Sequence, residues 1–286
     1  MNVSRWVPFF YVVLAAFIWG LTGVFVKGSD LSVIHLCLLR VGVPVLISVF
    51  FLTKEQLFLH QNKYFVLISV LSVFRLGLQI FSFKYTSSLG TSLVLIYCWP
   101  MFHYVVLMLF KKERFSWFML GCLLSSFSGV GISLMEQSFT WDLSTGIASL
   151  AALAAAIIVG VNTMLIKEHC NQLSAMETVY IFNCVGAGAL LPFCGGLIHV
   201  PVLSLGLGVI YGLVIGWAAF WLFFKALNQV ASSQASVLAY IEVPSGMLCA
   251  FLLFQEGVTF LVLCGGLVIF LSSLVLLRHA YKETPA

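Results

Sequence analysis

Arg40, Arg75 and Glu242 each fall well inside a long apolar run. A full charge at the centre of a membrane helix costs about 2.5–3.5 kcal/mol on insertion scales, so each must be compensated. Arg40 and Arg75 lie near the middles of their runs, too deep to snorkel to either interface. If Glu242 neutralises one arginine, the other still needs an anion. A guanidinium offers a planar donor fork that matches a carboxylate or phosphate. Glu242 would then hold an ammonium or sulfonium group, or carry a coupling proton. The alternative is a buried Arg–Glu pair that fixes helix register, the second arginine bonding carbonyls freed near a proline. Gln79 lies one turn beyond Arg75 on the same helix face and could orient it.

Aromatic and neutral polar residues near these charges widen the candidate site. Tyr97 and Tyr240 flank Pro100 and Pro244, and Trp19, Trp99, Phe74, Trp217 and Trp221 lie in neighbouring runs. Their faces would take a cation or a stacked base. Because 15% of the chain is aromatic, lipid-facing or interfacial placement is expected for most of them. Each proline should free the carbonyl four residues back, at Ile96 and Tyr240. Such carbonyls are tolerated at membrane depth only against protein or a water-lined cavity; a simple packing kink is the other reading. Asn162, Asn183 and Gln234 add neutral polar groups, and His103 reads as a satisfied interior histidine. The eight cysteines form no C-x-x-C pair and read as packing residues, with no metal site or cofactor implied.

The elements that must position these residues follow from composition. The chain is 62% hydrophobic and 8% charged, against roughly 25% charge in a soluble domain. Lipid must therefore be the solvent for much of it. Apolar runs at 8–26, 32–52, 65–83, 91–110, 116–134, 146–166, 176–197, 205–224, 234–254 and 258–277 approach the roughly 20 residues that cross a bilayer as helix. They are too long and too uniformly apolar for barrel strands, so an all-α integral membrane fold with ten transmembrane helices is expected. Arg5 precedes the first run, yet that run is long for a signal peptide and ends without a small-residue cleavage site.

Basic residues orient the spans. Arg5, Lys54, Lys63, Lys111, Lys112, Arg114, Lys167, Lys225, Arg278 and Lys282 fall on one face, and only Lys27 and Lys84 on the other. Short basic loops stay cytoplasmic, so both termini are expected inside.

An internal repeat underlies this order. Phe17-Ile-Trp-Gly-Leu-Thr-Gly-Val-Phe-Val-Lys27 aligns with Ile157-Ile-Val-Gly-Val-Asn-Thr-Met-Leu-Ile-Lys167. Phe83-Lys84 matches Phe224-Lys225, Pro100 matches Pro244, and Glu113-Arg-Phe-Ser116 matches Glu256-Gly-Val-Thr259. Five spans per half invert the second half, an arrangement common in alternating-access transporters with substrate near the midplane. Span eight also carries Gly208, Gly212 and Gly216, a smooth stripe on which another helix can pack closely.

Trp19-Gly20 with Lys27, Tyr85-Thr-Ser-Ser88, Pro100, Glu113-x-x-Ser116, Ala235-Ser236, Pro244 and Glu256-x-x-Thr259 together resemble the drug/metabolite transporter superfamily, in its branch with two EamA-type repeats. Lys111-Lys112 departs from the family pattern before Glu113. The resemblance implies repeats over 1–140 and 141–286 and a secondary transporter in the bacterial inner membrane. It also implies a small-molecule substrate and a coupling proton or counter-substrate. No ATP-binding loop, H-E-x-x-H or G-x-S-x-G is present, so neither an ATP-driven pump nor an enzyme is expected, and nothing points to nucleic acid. Two arginines, one glutamate and nearby aromatics suit a zwitterion with an aromatic or cationic part. S-adenosylmethionine, taken up or exchanged for S-adenosylhomocysteine, is the expected substrate, and export of ordinary amino acids is the alternative. On this reading Arg40, Arg75, Glu242, Tyr97, Tyr240, Trp19, Trp99, Phe74, Gln79 and Asn162 bind it.

Overall fold

Backbone amides in lipid must bond within their own segment, and helices are what the apolar runs form. The computed structural model describes residues 6–57, 63–85, 94–135, 143–254 and 260–283, and contains no strand among them. Helices α1 (Val7–Gly20) and α2 (Thr22–Gly28) meet at Leu21. There follow α3 (Val33–Phe51), the short α4 (Lys54–Leu57), α5 (Lys63–Tyr85), α6 (Trp99–Leu109) and α7 (Trp117–Ser133). Next come α8 (Leu143–His169) and α9 (Ala175–Leu190), which tightens into a 3-10 stretch over Leu191–His199. Helix α10 (Val202–Tyr211) passes through a π-helical stretch, Gly212–Ala218, into α11 (Ala219–Leu227). Helix α12 (Ser232–Leu238), a 3-10 turn at Ala239–Ile241, α13 (Glu242–Phe254) and α14 (Phe260–Glu283) complete the bundle.

Six stretches among the described residues are long and apolar enough to cross a membrane: Ile34–Phe51, Gly146–His169, Ala175–His199, Val202–Leu227, Ser232–Leu253 and Phe260–His279. Val7–Gly20, Val94–Leu109 and Trp117–Ser133 are apolar but shorter. Large apolar side chains cover the outside; Phe50 is 85% and Val202 86% exposed. So large an apolar surface belongs against lipid. The chain is an integral membrane protein.

Local chemistry sets the helix starts. Ser32 Oγ accepts from His35 N, and Ser116 Oγ from Met119 N. Ser174 and Glu177 form a reciprocal capping box at the start of α9. At the α1–α2 break Thr22 Oγ1 donates to the Trp19 carbonyl at 2.6 Å, answering a group the helix leaves open.

Of the two readings of the prolines, a mid-helix packing kink is not what the structure shows. Pro100 lies in the first turn of α6, after a turn at Tyr97–Cys98, and Pro244 lies in the first turn of α13, after the 3-10 turn. A first-turn proline sacrifices no intrahelical donor, so each opens a helix after a break.

Contacts fix relative directions. Helices α7 and α14 run antiparallel, Phe118 stacking on His279, Ser126 bonding Ser272 and Gly129 facing Gly265. Helices α5 and α8 are also antiparallel, through Tyr64 on His169 and Asn162 on Ser72. The glycine stripe runs parallel to α3. A Cβ at Gly212 would lie 2.7 Å from Val43 Cβ, and one at Gly216 would strike the Arg40 carbonyl and Pro44. Bare glycine therefore allows α3 to lie against the π-helical stretch. Arg5, Thr86 to Ser88 and Glu256 to Thr259 lie outside the described residues.

Candidate functional site

Arg40 projects from α3, Arg75 from α5 and Glu242 from the first residue of α13. These helices bring the three together from distant parts of the chain. Arg75 lies within electrostatic range of Arg40, Glu242, Tyr211 and Cys37. Glu242 in turn is within range of both arginines and of Tyr97. Yet no carboxylate oxygen comes within 4.0 Å of either guanidinium among the described residues. The register-fixing Arg–Glu pair is not made in this conformation.

Arg75 is held along one edge only. Its Nη1 donates to Gln79 Oε1 at 3.1 Å, while Nε and Nη2 are buried without a hydrogen-bond partner. Nε–H and one Nη2–H point the same way and form the side-on fork of a guanidinium, the edge that grips both oxygens of a carboxylate. Arg75 thus presents its bidentate edge unused. Buried donors in that state cost about 1–3 kcal/mol each, so an acceptor arriving at this edge would be favoured.

A small cavity adjoins it, with Arg40, Ser72, Arg75, Phe182 and Asn183 in its walls. Arg40 rests over the Phe220 ring, 5.4 Å from the centroid, and Phe220 is packed by Trp19 at 5.0 Å and Phe182 at 4.9 Å. The cation–π contact holds Arg40 without consuming its donors. Below the cavity Asn162 Nδ2 donates to Ser72 Oγ at 2.9 Å and to the Ile68 carbonyl at 3.2 Å, fastening α8 to the wall.

The remaining predicted residues are dispersed. Tyr240, fully buried, donates its hydroxyl to the Tyr97 carbonyl at 3.0 Å and ties together the segments that precede the two prolines. Trp99 packs with Ala156 and Ala239, in a cluster apart from the arginines. Phe74 is 60% exposed, because its neighbour Arg75 takes the inward face of α5. His103 is buried with Nδ1 2.8 Å from the Gly160 carbonyl. All eight cysteines are free thiols.

Sequence reasoning missed Tyr211, Cys37 and Phe220. Tyr211 had a signal, as the one polar side chain within the glycine stripe. Cys37, one turn before Arg40, and Phe220 had none.

Known proteins are similar to this chain over most of its length. One curated relative, "Uncharacterized transporter YoaV" of Bacillus subtilis, is 22% identical over 270 residues, 90% of this chain and 92% of its own length. Another, a "Probable terminal-alkyne amino-acid exporter" of Streptantibioticus cattleyicolor, is 27% identical over 184 residues, 62% of this chain and 60% of its own length. A solved crystal structure shares the fold with a TM-score of 0.81 at 14% identity, over 98% of this chain and all of that one. Residues 6–135 and 146–278 each match the EamA-like transporter family, whose members are transporters of small molecules and not enzymes. With two such repeats in one membrane-embedded chain, this protein belongs to the EamA-like transporter family.

Proposed function

We propose that the chain is a ten-span secondary transporter of a compact zwitterionic metabolite, an amino acid or close derivative, whose carboxylate seats on Arg75. The observation that carries this reading is the buried, unpartnered Nε/Nη2 edge of Arg75 beside a cavity walled by Arg40. Glu242 supplies the opposite charge for the ammonium end. A relative named for amino-acid export points the same way. Neither curated relative is named for S-adenosylmethionine.

Inverted repeats over 1–140 and 141–286 agree with the helix directions, and the distribution of Lys and Arg favours both termini on the cytoplasmic side of a bacterial inner membrane. Gly20 of α1 lies against Gly246 of α13, and Gly160 of α8 against Phe102 and His103 of α6. These contacts are counterparts under the repeat. Exchange or an ion gradient would drive the cycle.

The test is counterflow in proteoliposomes loaded with single amino acids, with S-adenosylmethionine in the competitor panel. Saturable counterflow with amino acids, lost in Arg75→Lys despite normal insertion, is the expected result. Counterflow that persists in Arg75→Lys removes the carboxylate seat. Counterflow only with S-adenosylmethionine overturns the compact-substrate reading.

A further inference from the structure

A second cation-holding arrangement lies at the end of α11, outside the arginine site. The Lys225 ammonium stands 4.6 Å from the Trp221 ring centroid and 5.1 Å from that of Tyr11, on α1. Trp217 stacks behind Trp221 at 6.3 Å and 23°, and its Nε1 donates to Met176 Sδ at 3.3 Å, anchoring this wall to α9. Rings from two helices thus converge on one ammonium, with a third fixed behind them. No carboxylate lies within 4.0 Å of Lys225 Nζ among the described residues, so ring faces and not an ion pair hold the cation. Aromatic faces grouped in this way are the recognition chemistry of alkylated ammonium groups. Lys225 brings its cation on a flexible four-carbon stem, so the occupant can swing out and be replaced.

We propose that Tyr11 and Trp221, backed by Trp217, form a cation seat for an alkylammonium ligand, and that Lys225 occupies it as a tethered stand-in. The seat is separate from Arg75 and can be tested without transport. A tethered occupant competes at high effective concentration, so the free ligand binds only to the fraction of molecules whose seat is open.

The experiment is saturation-transfer NMR on tetramethylammonium with the full chain in detergent, at constant ionic strength. Lys225→Gln should bind tetramethylammonium at least about tenfold more tightly than the unaltered chain, because the competitor is gone. Adding Trp221→Leu should remove that gain. Lys225→Arg, which keeps a tethered cation, should resemble the unaltered chain. If Lys225→Gln does not fold, Lys225→Met keeps the packing stem and gives the same reading. No gain in either variant, or a gain that survives Trp221→Leu, overturns the seat. Arg75→Lys should abolish counterflow and leave tetramethylammonium binding unchanged, so failure of this inference and failure of the carboxylate seat are distinguishable.

Discussion

Gln79 holds Arg75 from one turn away on the same helix, its Oε1 accepting from Nη1 at 3.1 Å and leaving Nε and Nη2 free. The bond consumes the donor that side-on carboxylate binding does not need and fixes the plane of the fork. Hydrogen bonds to charged groups are worth about 1.5–3 kcal/mol, and losing one here costs preorganisation and not the contact itself. Gln79→Ala should therefore raise the apparent KM for counterflow about tenfold, with insertion and thermal stability unchanged. Gln79→Glu keeps an acceptor but neutralises Arg75, so it should bind substrate still more weakly. An alanine variant with an unaltered KM would show that Arg75 needs no such support.

Gly212 and Gly216 allow the close approach of α3. A Cβ at Gly216 would run into the Arg40 carbonyl and lie 3.0 Å from Pro44 Cγ, and backbone cannot rotate away as a side chain can. Gly216→Ala should push α3 outward, displace Arg40 and lower the melting temperature in detergent by several degrees, in line with overpacking costs of about 1–3 kcal/mol. Gly206→Ala is the control, since a Cβ there meets nothing within 4 Å. Equal stability of the two variants would show that the stripe is not a packing surface.

Much of this architecture was legible because charge is costly in an apolar run. Arg40, Arg75 and Glu242 could be picked out on that ground alone, and the four-residue spacing put Gln79 beside Arg75. The glycine spacing likewise announced a close helix contact. Which way each apolar side chain faces was not legible. In a soluble helix the polar stripe marks the outside, but a lipid-facing side is as apolar as the core. Phe74 was accordingly placed in the site and lies on the exposed face, while Phe220, which carries Arg40, gave no contrast among so many aromatics. That Pro100 and Pro244 open helices was not legible, because sequence alone does not reveal that each helix is already broken just before them.

Asn162 stitches α8 to α5 through Ser72 and the Ile68 carbonyl. Asn162→Ala leaves the Ser72 hydroxyl able to bond the Ile68 carbonyl, which it already does at 2.8 Å, so no polar group on α5 is stranded. The cost should then be modest, about 1 kcal/mol, close to that of interhelical bonds in membranes. Its measure is the melting temperature, with substrate KM shifted less than in Gln79→Ala. A larger KM effect in Asn162→Ala than in Gln79→Ala would instead make Asn162 a direct substrate contact.

Lys167 and Glu113 grip the turn between α11 and α12 from its two ends. Lys167 Nζ donates to the Leu227 and Val230 carbonyls, the latter at 3.0 Å, where α11 ends and its carbonyls lack intrahelical partners. Glu113 Oε1 accepts from Ser233 N at 3.4 Å and Ser232 Oγ at 3.5 Å, at the start of α12. The lysine contacts are shorter and better placed, so Lys167→Gln should lower the melting temperature more than Glu113→Gln does. The lysine variant should lose about 1.5–3 kcal/mol, the range for bonds to a charged donor. Because both act on one turn, the double variant should lose less than the two single losses combined. Strict additivity would mean that the two side chains stabilise separate elements. A Lys167→Gln protein as stable as the unaltered chain would show that the turn holds without them.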